Sequence, residues 1–272
     1  MDLKQKTEVK SYGLSLPFLI TGFVLSACLN SCIEIKSGYN ALPPGIWRAT
    51  LELDRVPFAG KDDQLSTYYE EGDIIPFLIK VIYVNPDSFY IEIINGDQLI
   101  KVDKIIYGLD RSTAKDTITL KFQNEDSYIK AIYEENIMEG FWYFNHQKEY
   151  KIPFKAYHGQ KNLFTTSNPG VDADFSGCWT VTLYEEDGDT FTGTALFEQS
   201  GMNVKGTMIT QKGDFGPLTG QVIRNRIYLA AFDGNHAFYL QGKMSDEQSI
   251  QGIFRAGIHY RAQWIAIHCV EK

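Results

Sequence analysis

The chain has 272 residues, 44% of them hydrophobic and 14% aromatic, and carries 26 Lys and Arg against 34 Asp and Glu for a net charge of −8. This composition excludes a chain disordered over most of its length. An acidic chain without a Lys/Arg block also excludes electrostatic nucleic-acid binding and recruitment to anionic lipid by charge.

The first predicted element is a leader. Lys4, Lys6 and Lys10 form a basic head, and an apolar run from about Leu14 ends in Leu25-Ser26-Ala27-Cys28. A membrane-spanning helix takes about 20 apolar residues; this run is shorter and contains Pro17 and Gly22. The three-part shape is that of a secretory signal. Its ending resembles the bacterial lipobox, in which the Cys thiol receives diacylglycerol before cleavage. Residues 1–27 are therefore expected to be removed and Cys28 lipidated, with 28–43 as a polar tether. Leu29-Asn30-Ser31-Cys32 is a poorer version that makes Cys32 the alternative, and an uncleaved membrane anchor is a third reading. Two or more acyl chains hold a protein at a bilayer where one does so marginally. The expected location is the bacterial cell envelope, on the inner or outer membrane, facing periplasm or cell surface.

Beyond the tether the chain reads as all-β: two consecutive antiparallel meander or barrel-like (lipocalin-like) domains, at 44–159 and 175–272. In the first, strands are expected at 45–54, 74–84, 88–94, 98–107, 116–122, 127–133, 138–144 and 149–157, with 60–73 a loop or short helix. The polar stretch 160–174, rich in Thr, Ser, Asn, Pro and Gly, is expected to be a linker with few contacts. In the second domain the strands fall at 178–185, 190–198, 203–210, 215–223, 226–232, 236–242, 250–256 and 260–268. Clusters such as Asp187-Gly188-Asp189, Arg224-Asn225 and Asp233-Gly234-Asn235 separate them. Gly supplies positive φ, and Asn or Asp tolerates it, so these are hairpin turns. Strands at this spacing suggest a meander that closes on itself, which removes exposed edges.

The halves resemble each other. Gly45-Ile46-Trp47 answers Gly177-Cys178-Trp179, and Gly140-Phe141-Trp142 answers Gly252-Ile253-Phe254. Duplication is one reading; unrelated barrels that plug one end with an indole are the other.

Three constellations carry chemistry. Cys178 and Cys269 would open the first and close the last strand of the second domain, in a register that places Trp179 beside His268. A disulfide stapling the barrel seam is one outcome; two isolated thiols packing as small apolar residues is the other. Asp233 and His236 lie at one expected hairpin tip and His259 at the next, so they form a candidate polar binding cluster. Their spacing does not demand a metal, and no nucleophile or oxyanion hole accompanies them. Phe141-Trp142-Tyr143-Phe144 places aromatics on both faces of one strand, which implies burial on both sides at a domain contact; a platform for stacking sugar rings is the alternative. No Cys-x-x-Cys occurs, so the chain itself has no thioredoxin-type centre.

Several of these segments together resemble a known family. Gly177-Cys178-Trp179, Phe197-Glu198-Gln199, Phe232-Asp233-Gly234-Asn235-His236-Ala237-Phe238 and Gly252-Ile253-Phe254-Arg255-Ala256-Gly257-Ile258-His259-Tyr260 are similar to the β-rich region that precedes the thioredoxin domain in lipid-anchored, TlpA-like thiol–disulfide reductases. Pro44-Gly45-Ile46-Trp47 and Tyr150-Lys151-Ile152-Pro153-Phe154 extend the likeness into the first half. The resemblance implies an envelope lipoprotein associated with thiol redox chemistry. The family's Cys-x-x-Cys domain has no counterpart here, so no catalytic residue carries over. The expectation is a non-catalytic accessory or binding module, without cofactor or metal, whose partner is an envelope redox protein. A lipocalin-like carrier of a small apolar or glycan ligand is the alternative, and it requires an open barrel interior.

Overall fold

A computed structural model describes residues 42–53, 74–123, 126–164, 169–246 and 248–270. Cys28, Cys32 and segment 60–73 lie outside these residues. All the named elements are β-strands.

The first nine are β1 (Gly45–Glu52), β2 (Ile74–Asn85), β3 (Ser88–Asn95), β4 (Gln98–Val102), β5 (Lys104–Asp110), β6 (Lys115–Lys121), β7 (Ser127–Glu134), β8 (Ile137–Phe144) and β9 (Gln147–His158). They form one antiparallel sheet in the order β4-β3-β2-β1-β9-β8-β7-β6-β5. The strand expected at 98–107 is thus two strands, one at each edge of the sheet. Its apolar phase shifts at Asp103: Val102 faces the core, and the next residues to do so are Ile105 and Tyr107. That spacing of three breaks the period of two, so one residue must be left out of the alternation. The sheet consequently curls into a ring interrupted at a single kinked segment.

The remaining strands are β10 (Gly177–Glu185), β11 (Thr190–Ser200), β12 (Asn203–Thr210), β13 (Gly213–Asp214), β14 (Leu218–Ile223), β15 (Arg226–Phe232), β16 (Ala237–Asp246), β17 (Ser249–Ala256) and β18 (Tyr260–His268). Pairing of β11 with β12 closes β10–β12 and β14–β18 into an eight-stranded barrel. Glycines let its walls turn sharply. A side-chain carbon at Gly220 would lie 1.7 Å from the Tyr228 carbonyl oxygen, and one at Gly252 would lie 1.8 Å from that of Gln241. Only a residue without Cβ fits such corners.

The two sheets share local devices. Trp47 and Trp179 each donate an indole hydrogen bond to the carbonyl four residues back, Pro43 at 3.0 Å and Phe175 at 2.8 Å. Each packs on the histidine opposite it in register, His158 and His268. Gly140 pairs with Phe154 as Gly252 pairs with Trp264, so the two repeated sequence segments occupy matching places in the two sheets.

The sheets are packed together along a continuous core. Both faces of β15 are buried: Ile227, Leu229 and Ala231 fill the barrel, while Tyr228, Ala230 and Phe232 join the core of the first sheet. The expectation of a sparsely contacted linker fails for the same reason. Leu163 and Phe164 are buried, the Phe164 amide donates to Gln221 Oε1 at 3.0 Å, and Arg48 donates to the Leu163 carbonyl at 2.7 Å. Apolar residues within a polar stretch anchor it.

Candidate functional site

The predicted polar cluster lies where the two sheets meet. The turn between β15 and β16 inserts beside the equivalent turn between β6 and β7. Phe232 packs on Phe77, Phe122 and Trp142 with ring centroids 4.2, 5.5 and 5.0 Å away. Asn95 grips the Phe232 backbone from both sides, donating to its carbonyl at 2.9 Å and accepting from its amide at 3.3 Å. The Trp142 indole and the Ser127 hydroxyl both donate to the Gly234 carbonyl. A side-chain carbon at Gly234 would meet the Phe122 ring at 2.5 Å. The turn is a structural peg: Phe232 and Gly234 are buried against the neighbouring sheet, while Asp233 and His236 stay exposed.

Within the peg, Asp233 and His236 are paired. Asp233 accepts from the amides of Asn235 and His236, and its Oδ2 lies 2.9 Å from His236 Nδ1. His259 is elsewhere engaged, its ring 5.2 Å from that of Tyr150. The two hairpins do approach, since the Gly257 amide donates to the Ala237 carbonyl at 2.9 Å. Among the described residues no three His, Cys, Asp or Glu side chains gather in a way that could hold a metal ion.

Cys178 and Cys269 are joined by a disulfide across the seam of β10 and β18, with Cα atoms 5.3 Å apart. The seam pairs Trp179 with His268.

The interiors are filled. Trp179, Trp264, Phe197 and Phe254 occupy the closed barrel, each no more than 1% exposed. Inside the first sheet, Phe77, Ile91, Phe154, Phe232 and their neighbours line an apolar cavity of about 10 Å³, the volume of one water molecule. Among the described residues these two cores are packed with side chains rather than open.

Two outer surfaces of the described residues stand out. The first is an open groove of about 1000 Å³ across β5–β9, lined by Phe141, Tyr143, Lys130 and Lys155 among others. The aromatic strand is thus not buried on both sides: Trp142 faces the peg, while Phe141 and Tyr143 are half-buried on the outer face. The second is the outer face of β18, β10, β11 and β12. Thr180 and Thr182, Thr192 and Thr194, and Ile265 and Ile267 form cross-strand rows there with Ile209. No charge interrupts these rows, and an ion pair between Lys205 and Glu198 at 3.4 Å bounds one end. The signal for it was present in the alternation of Thr and Ile on those strands, but alternation is read first for what it buries.

No family description matches the chain, and no curated protein does. Solved structures show distant likeness. A protein of unknown function of the DUF3598 family from Nostoc punctiforme PCC 73102 is 7% identical with a TM-score of 0.25, over 82% of this chain and 94% of its own. Two variants of the vaccine antigen transferrin binding protein B from Haemophilus parasuis Hp5 are 9% identical with a TM-score of 0.19, over 85% of this chain and 77% of theirs. Likenesses at this level carry no argument about function.

The Asp233–His236 pair makes stability depend on pH. The hydrogen bond that His236 donates to the Asp233 carboxylate and the charge of that carboxylate raise the His236 pKa against the opposing effect of burial. Burial raises that of Asp233, but hydrogen bonds from the His236 side chain and from the His236 and Asn235 amides outweigh it and leave it lowered. A raised histidine stabilises fully below its unfolded value of about 6.5 and loses this as pH climbs through the folded value. A lowered carboxylate stabilises above about 3.9 and loses this as pH falls. The pair is thus fully effective between about pH 4 and 6.5. The His236 and Asp233 side chains are 64% and 44% exposed, so screening holds the effect below about 1 kcal/mol. Melting temperatures across pH 3–9 should fall on both sides of that window, and His236→Asn should flatten the alkaline side.

Proposed function

We propose that this chain is an exported, lipid-anchored, non-catalytic platform of the cell envelope that docks a partner protein, namely a thiol–disulfide reductase encoded separately. The observation that carries this reading is the uncharged outer face of β18-β10-β11-β12. Ile267 and Ile209 are more than half exposed there, on a chain whose charged residues make up 22%. Charge depletion is the composition of an interface core. The disulfide at the edge of that face holds β10 and β18 in place, and a rigid surface lowers the entropy lost on association. Filled interiors favour this reading over a carrier, and the leader ending at Cys28 supplies the anchor.

Two measurements test it. In a bacterial host, Cys28→Ala should move the protein from the membrane fraction to the soluble envelope fraction; unchanged fractionation overturns the anchor at that residue. After cross-linking of envelopes, the wild-type chain should retain a thioredoxin-fold reductase identified by mass spectrometry. Ile265→Glu with Ile267→Glu should reduce its recovery at least tenfold. Equal recovery, or no reductase with either form, overturns the partner.

A further inference from the structure

The groove lies on the outer face of a sharply curved part of the first sheet. At Gly140, where β8 runs against β7, a side-chain carbon would lie 2.1 Å from the Lys130 carbonyl oxygen and 2.5 Å from the Ala131 Cα. Glycine at such a point lets a sheet curve tightly. Gly140 shares its row with the buried Met138 and Trp142, so the sheet closes around its core there while the trough runs over the outer face of the same strands. Its volume of about 1000 Å³ is at the upper end for small-ligand sites, which run to about 1000 Å³.

Its lining combines two chemistries. Phe141, Tyr143 and Pro153 supply apolar faces. The Tyr143 ring is held by stacking on Tyr128, with centroids 5.1 Å apart and planes 15° apart. The polar lining carries charges of both signs in near balance. Lys155 lies 3.4 Å from each of Glu52 and Glu139, and Lys115 lies 2.5 Å from Glu134.

These features select a ligand class. Paired charges of both signs give little net field, so neither an anion nor a cation is favoured. The trough reaches Leu109 and Asp110 of the edge strand β5. Phe141 and Tyr143, however, lie on β8, three strands in and hydrogen-bonded on both sides, so a peptide extending the sheet along β5 would not use the rings. What fits is a ligand with an apolar face for the rings and hydroxyls, each both donor and acceptor, for ammonium and carboxylate alike. We infer that the trough binds a neutral oligosaccharide, with pyranose C–H faces on Phe141 and Tyr143 and hydroxyls shared among Lys130, Lys155 and Glu139. This site is separate from the partner face and stands without it.

The test is native affinity electrophoresis of the exported chain in gels containing starch, laminarin, xylan or glucomannan, with alginate as an acidic comparison. At least one neutral polysaccharide should retard the wild type. Phe141→Ala with Tyr143→Ala should weaken that binding at least tenfold. Lys130→Ala, at an exposed position, should weaken it about threefold with the melting temperature unchanged, which serves if the double variant does not fold. Unchanged mobility in all four neutral gels, retardation by alginate alone, or equal retardation of the wild type and Lys130→Ala overturns the proposal. Ile265→Glu with Ile267→Glu should bind polysaccharide as the wild type does, so loss of the partner and loss of the glycan are told apart.

Discussion

Phe232→Ala is expected to destabilise the chain by about 3–5 kcal/mol, the range for deleting a buried aromatic side chain, and to split one unfolding transition into two. Phe232 is fully buried and is the point where three aromatic side chains of the first sheet close on a strand of the second. Because the first sheet completes its core with residues of β15 and β16, neither sheet can lose the contact without exposing apolar surface. Single-transition unfolding of the wild type in urea, followed by tryptophan fluorescence and by circular dichroism, should become biphasic in the variant. Coincident single transitions in both proteins would show that Phe232 does not couple the sheets. Asn95→Leu tests the same joint through its hydrogen bonds. It leaves the buried amide and carbonyl of Phe232 without their side-chain partner, at about 1–3 kcal/mol for such an unsatisfied group.

Removing the disulfide should have an effect of similar size by another route. Cys178 and Cys269 are 91 residues apart, and a cross-link closing a loop of that length is worth about 3–5 kcal/mol in the chain-entropy model. Cys178→Ala with Cys269→Ala should therefore lower the melting temperature by roughly 10 °C for a chain of this size. The effect should be absent when wild type and variant are compared under reducing conditions. Since β10 and β18 remain hydrogen-bonded neighbours without the cross-link, the fold should survive and the circular dichroism spectrum should be unchanged. A variant as stable as the oxidised wild type would mean that the seam is already constrained in the unfolded chain.

Most strands of the closed barrel were legible to within one or two residues, apart from the short β13, the start of β14 and the end of β16, because each hairpin carries its own turn chemistry. Asp187-Gly188-Asp189 and Arg224-Asn225 end strands locally, whatever lies around them. Gly188 and Arg224 both adopt positive φ. The first sheet was less legible at 98–110, where the shift of phase at Asp103 is spread over a run that reads as apolar throughout. The groove left only a faint mark: Gly140 was noted for its place in a repeat, and only the approach of Lys130 and Ala131 makes it a point of tight curvature.

Sequence alone determined most turn positions and the faces that Thr180, Trp179 and their neighbours share, since a period of two is set by the backbone of the strand itself. It could not determine what covers each face. Phe232-Asp233-Gly234-Asn235-His236 reads as an exposed polar tip when the second barrel is considered by itself. Only the tertiary structure brings Phe77, Asn95, Ser127 and Trp142 against Phe232 and Gly234 and leaves Asp233 and His236 exposed, because those partners lie some ninety or more positions away. Contacts of that range depend on how two sheets pack, and no local pattern encodes their partner.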